Sequence, residues 1–191
     1  GAKDFSAHQG EKITEGLDGL RERLYSYSKN GAKFCKWRAV ITIGNNIPSD
    51  ACIESNMNAL SRYASLCQEN NLVPIVEPEV LINGAHTIEE CDSVTRKSLN
   101  SLFNHLKLLD VYLPGTVLKP SMVISGQENS SRADINKVAS MTIDCLKDCV
   151  PIETSGIAFL SGGQTDQEAE SHLNLMNQES NLPWRVTFSY A

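Results

Sequence analysis

Three charged residues stand inside segments that otherwise read as buried strands. They are Lys36 in Phe34-Cys35-Lys36-Trp37-Arg38, Glu77 in Val73-Pro74-Ile75-Val76-Glu77-Pro78-Glu79, and Lys119 in Thr116-Val117-Leu118-Lys119-Pro120-Ser121-Met122-Val123. Burying a charge is costly unless it is neutralised, paired or used. A lysine amine attacks carbonyl carbon only when unprotonated, and apolar burial or a neighbouring cation favours that form. Lys119 therefore reads as a nucleophile toward carbonyls, Lys36 as its neighbouring cation and Glu77 as the proton shuttle. Side chains alternate faces along a strand, so Arg38 shares the face of Lys36 and Glu79 that of Glu77, and these two are expected to orient the set. Ion pairs without chemistry would also need such partners. Charge on three successive strands favours catalysis, given where parallel barrels keep their sites.

A second constellation is the segment Phe159-Leu160-Ser161-Gly162-Gly163-Gln164, which runs directly into a helix opening at Thr165. Outward-facing backbone amides and the positive end of a helix make such a turn an anion site. Tight strand-to-helix turns need glycine for geometry about as often. The position after the penultimate strand matches the corner where barrels bind phosphate. By contrast, His8, His86, His105 and His172 show no ligand spacing and read as surface or packing residues. Tyr25, Tyr27 and Trp184 read as packing. The six cysteines, at 35, 52, 67, 91, 145 and 149, form no Cys-x-x-Cys pair and are expected to be free thiols. Cys145 and Cys149 fall on the apolar face of their helix, so core packing is expected and no metal site.

The elements that would position these residues alternate regularly. Leu17, Leu20, Leu24 and Tyr27 recur at helical spacing, Asn30-Gly31 stops that helix, and a strand follows from Phe34 to Ile43. Ile53, Met57, Leu60, Ala64 and Cys67 precede a strand from Leu72 to Glu77, and Leu99, Leu102, Phe103 and Leu106 precede one from Thr116 to Val123. Ile135, Val138, Ala139, Thr142, Leu146 and Cys149 precede Gly156 to Leu160, and Ala169, Leu173 and Met176 precede Trp184 to Tyr190. Thr87 with Glu90 and Thr165 with Glu168 fit the capping-box pattern of a helix start. Near-continuous apolar strands alternating with helices predict a parallel sheet covered on both faces, either a (β/α) barrel or an open doubly wound sheet. No Gly-x-Gly-x-x-Gly or Walker pattern follows a strand, which counts against a nucleotide-binding open sheet. A whole eight-stranded barrel takes about 250 residues, and this chain holds roughly five-eighths of one.

At 191 residues, with 41% hydrophobic and 21% charged residues, the composition is that of one globular domain. A net charge of −6 and a pI near 5.2 argue against nucleic acid as a partner. No apolar run approaches the roughly 20 residues that span a bilayer, and the first residues lack a signal pattern, so a soluble cytoplasmic protein is expected.

In order and spacing, Phe34-Cys-Lys-Trp-Arg38, Ile75-Val-Glu-Pro-Glu79, Val117-Leu-Lys-Pro120, Phe159-Leu-Ser-Gly-Gly-Gln164 and Thr187-Phe-Ser-Tyr190 resemble the strand motifs of class I fructose-bisphosphate aldolases, as does Glu15-Gly-Leu-Asp-Gly-Leu20. The resemblance covers essentially the whole chain. It implies a (β/α)8 TIM barrel with about five of eight units within residues 1–191. It further implies cleavage of fructose 1,6-bisphosphate without metal or cofactor. Lys119 would be the Schiff-base lysine, Glu77 its acid and base, and Lys36 the supporting cation. Arg38, Glu79, Ser161, Gly162, Gly163 and Ser189 would hold substrate. Relative to the family, the chain starts after the third strand and ends at the last. An aspartate, a lysine, an arginine and a tail tyrosine of the family would lie outside it, and Ser121 replaces an asparagine. A homo-oligomer or completion by another chain is expected, and a noncatalytic binding or assembly module is the alternative.

Overall fold

The computed structural model describes residues 1–190. A short antiparallel hairpin, β1 (Ala2–Asp4) with β2 (Lys12–Thr14), precedes α1 (Leu20–Lys29). Strand and helix then alternate: β3 (Phe34–Ile41), α2 (Asp50–Glu69), β4 (Val73–Val80), α3 (Ile88–Leu108), β5 (Val117–Leu118), α4 (Ile135–Cys149), β6 (Gly156–Phe159), α5 (Asp166–Gln178) and β7 (Val186–Phe188). Strands β3 to β7 form one parallel sheet of five strands whose spatial order is the chain order. A doubly wound sheet reverses its order at a switch point, whereas a barrel does not. The architecture is therefore a sector of a (β/α)8 barrel, the one of the two parallel-sheet architectures that the resemblance implied.

Most residues of the helical stripes read from the sequence are buried, but Ile135, at the first turn of α4, is exposed. Ile53, Met57, Leu60, Ala64 and Cys67 of α2 and Leu99, Leu102 and Leu106 of α3 are sealed in the core, with Val138, Leu146 and Cys149 of α4. Both capping boxes form, Thr87 with Glu90 and Thr165 with Glu168. Neighbouring helices are also joined by exposed ion pairs such as Lys97 with Asp50 and Lys137 with Glu89. Pairs of that kind contribute about 0–1 kcal/mol each. A buried large apolar side chain contributes roughly 1.5–3 kcal/mol. Apolar stripes, not ion pairs, hold the helix layer on the sheet.

Three features differ from expectation. The hairpin β1–β2 is too short to show alternation and was not anticipated. Tyr25 and Tyr27, expected to pack, are exposed, because α1 packs chiefly on α2 and needs only Leu20 and Leu24 for that seam. The strand expected from Thr116 to Val123 pairs only at Val117–Leu118. Pro120 has no N–H to continue a ladder, and Val123 and Ile124 donate instead to Thr142 Oγ1 at 3.0 Å and Cys91 Sγ at 3.4 Å, on the covering helices. All six cysteines are free, and burial pushes the Cys67 thiol up to about 12. Trp184 is buried as expected, with Nε1 donating to the Pro151 carbonyl.

Candidate active site

The register of β3 on β4 sets Arg38 opposite Glu77 and Lys36 opposite Ile75, so each cation reaches diagonally to the glutamate two residues further along β4. Lys36 Nζ lies 2.8 Å from Glu77 Oε2, and Lys119 Nζ lies 3.2 Å from Glu77 Oε1. Each lysine thus takes one carboxylate oxygen. The Lys36 contact is electrostatic, since Oε2 is buried without an aligned hydrogen bond. Arg38 Nε donates to Glu79 Oε2, and that carboxylate pushes the guanidinium pKa up from its ordinary value.

Burial divides the set. Glu77 and Lys119 are 3% and 6% exposed, whereas Lys36 and Arg38 stand on β3 with their side chains largely open. Removing one partner of a buried pair typically costs 3–5 kcal/mol. Glu77 is guarded against that loss by having two cations. With Arg38 and Glu79 cancelling, Lys36, Glu77 and Lys119 leave one net positive charge at this rim, which favours an anionic ligand. Glu77 Oε1 is also placed to accept a proton from Lys119 Nζ, the step an amine needs before it attacks a carbonyl.

Beyond its short ladder, the segment carrying Lys119 is fixed by other bonds. Lys119 N donates to Val76 O at 2.8 Å, and Val80 N donates to Ser121 Oγ at 3.2 Å. Ser121 thereby extends the β4–β5 link past Pro120 with a side chain. Further along, Gly126 N donates to His86 O, Gln127 N to Ile82 O and Glu128 N to Gly84 O, each at 2.9 Å. A Cβ on Gly126 would fall 2.2 Å from Gly84 O, so only glycine permits this crossing. The loop after Glu77 and the loop after Lys119 are laced into one piece.

The second constellation lies on the adjoining strand. Leu160 N donates to Pro120 O at 3.1 Å, which ties the residue before Ser161 to the residue after Lys119. Ser189 N donates to Phe159 O at 2.9 Å, so Ser189 stands at the next strand end. Gly162 and Gly163 have φ of 58° and 78°, the left-handed region. Their carbonyl neighbours are engaged: Ser161 O accepts from Gln164 N and Nε2, both at 3.2 Å, and Gly163 O accepts from Gln127 Nε2 at 3.1 Å. The N–H groups of Gly162 and Gly163 have no acceptor among the described residues. The first turn of α5 is less open than the sequence suggested, because the Glu168 carboxylate occupies the Thr165 amide and is itself paired with Arg132 at 3.2 Å. Bonding to Thr165 is the main cause that holds Glu168 below its usual carboxylate range. The amides that stay open are those of Gly162 and Gly163, upstream of this turn.

Gln127 lies in a loop that carries no periodic signal, and His172, read as a surface or packing residue, is buried on α5. His172 Nδ1 lies 2.7 Å from Gln164 Oε1. A groove of about 760 Å³ is lined by Asn100, Phe103, Tyr112, Cys149 and Pro151. Tyr112 precedes β5 and Pro151 precedes β6, so this groove opens at the amino ends of the strands, away from Lys119 and Ser161. Barrel chemistry belongs to the other end.

Lys119 and the amide-rich turn follow the carboxyl ends of β5 and β6, and Lys119 meets Glu77 and Lys36 from within the neighbouring parallel strands, an arrangement of the (β/α)8-barrel class. Comparison with known proteins narrows this. The family model described as "Fructose-bisphosphate aldolase class-I" matches residues 1–191. The chain is 56% identical over 190 residues to "Probable fructose-bisphosphate aldolase class 1" of Xanthomonas axonopodis, covering 100% of this chain and 57% of that protein. It is 46% identical to "Fructose-bisphosphate aldolase 4, cytosolic" of Arabidopsis thaliana, covering 100% of this chain and 49% of that one. A solved fructose-bisphosphate aldolase from Plasmodium falciparum superposes with a TM-score of 0.97 at 44% identity, over 100% of this chain and 56% of its own. The chain belongs to the class I fructose-bisphosphate aldolase family, and it spans about half the length of the relatives it matches.

Proposed function

We propose that this chain carries the imine-forming half of a class I fructose-bisphosphate aldolase, a metal-independent cytoplasmic lyase acting on a sugar bisphosphate. The observation that carries this is the buried contact of Lys119 Nζ with Glu77 Oε1 at 3.2 Å, supported by Lys36. Glu77 takes a proton from Lys119, and the free amine adds to the C2 ketone of fructose 1,6-bisphosphate. The carbinolamine accepts a proton from Glu77 and loses water, leaving an iminium. The C4 hydroxyl gives its proton to Glu77, the C3–C4 bond breaks, and its electron pair moves into the iminium to form an enamine. Glyceraldehyde 3-phosphate leaves. Protonation at C3 and hydrolysis then free dihydroxyacetone phosphate and restore Lys119. Lys36 offsets negative charge on the reacting oxygens, Arg38 and Glu79 orient the rim, and Ser161, Gly162, Gly163 and Ser189 bind a phosphate.

Borohydride reduction in the presence of dihydroxyacetone phosphate, followed by peptide mass spectrometry, tests the proposal. An adduct on Lys119 is the expected result. No adduct, under conditions where a longer relative labels well, would favour a noncatalytic binding module on the same fold.

A further inference from the structure

We infer that His172 is a positioning residue for the phosphate corner, acting through Gln164 on the turn Ser161-Gly162-Gly163. This rests on the proposed assignment of that turn to a substrate phosphate. His172 lies on the core-facing stripe of α5 with Ala169 and Met176 and is 3% exposed. A histidine on an apolar stripe is ordinarily a packing residue, but here the ring is bonded. Gln164 Oε1 can only accept, so its 2.7 Å contact identifies His172 Nδ1 as a protonated donor. That assignment leaves the other end of the Gln164 amide as NH2, and it donates to Ser161 O at 3.2 Å. The chain of bonds thus runs from the helix core to the carbonyl immediately before the two free amides.

The consequence is geometric. Ser161 O receives both Gln164 donors, so it is held on the Gln164 side of the turn. The Gly162 N–H, trans to that carbonyl in the same peptide, points to the opposite side, and Gly163, also with positive φ, carries the second N–H without an acceptor among the described residues. Without His172, Gln164 Oε1 loses its donor and the amide is free to rotate away from Ser161. The backbone donors would then have to be ordered by the phosphate itself, which weakens binding. Glu168, one turn earlier on α5, and Arg132, which pairs with it from the segment before α4, are the charged groups beside the ring. They carry opposite signs, so the effect of His172 on an anion is a matter of geometry rather than of added charge.

Two readouts separate this inference from the proposed activity. The first is the concentration of inorganic phosphate that half-saturates the chain, followed by phosphorus NMR. The second is the concentration for half-maximal borohydride trapping with dihydroxyacetone phosphate and, separately, with unphosphorylated dihydroxyacetone. His172→Ala should raise both phosphate-dependent concentrations about tenfold, the order expected for releasing a positioned donor, and leave the dihydroxyacetone value unchanged. His172→Asn, which keeps a donor near the Nδ1 position, should return them to within about twofold of the parent. Gln164→Met should reproduce the loss from the turn side, without a core cavity, even where His172→Ala folds poorly. If phosphate affinity falls while no Lys119 adduct ever forms, His172 keeps its role and the aldolase activity fails. Equal weakening with both ketones, unchanged phosphate affinity in the variants, or no phosphate binding by the parent chain overturns the inference.

Discussion

The rim at Lys36, Glu77 and Lys119 and the corner at Ser161 to Gln164 are adjacent, joined by the bond from Leu160 N to Pro120 O at 3.1 Å, yet they are built differently. Rim groups are charged side chains: Lys36 and Glu77 stand in β3 and β4, in register over their whole length, and Lys119 directly follows the short ladder of β5. Corner groups are backbone amides in a left-handed turn, held by Gln127 and Gln164 from outside the sheet. In the proposed function the rim's reactive groups have a geometry that strand pairing and the bonds behind it dictate, and the corner's affinity has a geometry that a few side-chain bonds dictate. Chemistry and phosphate grip should be separable by mutation.

The largest effect tests that separation most sharply. Lys119→Met should abolish the trapped adduct and slow carbon–carbon cleavage by about 10⁴-fold or more, as loss of a covalent nucleophile does. Inorganic phosphate affinity should stay within about twofold, because Glu77 keeps Lys36 as its partner. If phosphate binding disappears with the lysine, rim and corner are one unit. Glu77→Gln should slow trapping by roughly 10²–10⁴-fold, the range for a lost general acid and base. Gly126→Ala attacks the lacing behind the rim: its Cβ would meet Gly84 O at 2.2 Å, backbone that cannot rotate aside. A loss of about 3 kcal/mol in urea unfolding is expected. Gly163→Ala is the corresponding insult to the corner, with φ at 78° and a Cβ only 2.9 Å from Gln127 Nε2. Strain of about 1–3 kcal/mol there should weaken phosphate about tenfold and leave trapping with dihydroxyacetone unchanged.

Legibility in the sequence followed the same division. Lys36, Glu77 and Lys119 were found because charge in an apolar run is conspicuous, and strand periodicity alone put Arg38 and Glu79 on matching faces. The two helix caps were legible because Thr and Glu three residues apart carry a local bonding pattern. Gln127, Gln164 and His172 were opaque as a set, since their bonds join residues from two loops and a helix and follow no period. The length of β5 was misjudged because Pro120 ends the ladder while apolar burial continues to Ile124. The Lys119 segment shows that burial pattern and hydrogen-bond pattern can part company within a few residues.

The smallest effect concerns the two buried histidines, one in each region. Burial is the leading cause that lowers the pKa of both His86 and His172 from the ordinary 6.5, with Glu90 opposing it at the first and Glu168 at the second. A lowered folded pKa means that the unfolded chain binds the proton first. The stabilising contribution is intact above about pH 6.5 and is lost as the pH falls through the folded value. The two rings differ in their bonds. Both nitrogens of His86 lie buried beside the backbone of Asn83 and Ile124 without an aligned hydrogen bond, whereas His172 holds Gln164. His86→Leu should therefore be neutral or slightly stabilising at pH 7, because it removes unpaired polar atoms, and should flatten the loss of Tm between pH 6.5 and 5. The same substitution at His172 should flatten that limb too, but at the expense of phosphate affinity. Thermal melts of the two variants across that range, paired with phosphate titrations at pH 7, assign each histidine to its region. An identical phosphate loss from both substitutions would mean that the lacing behind the rim also sets the corner.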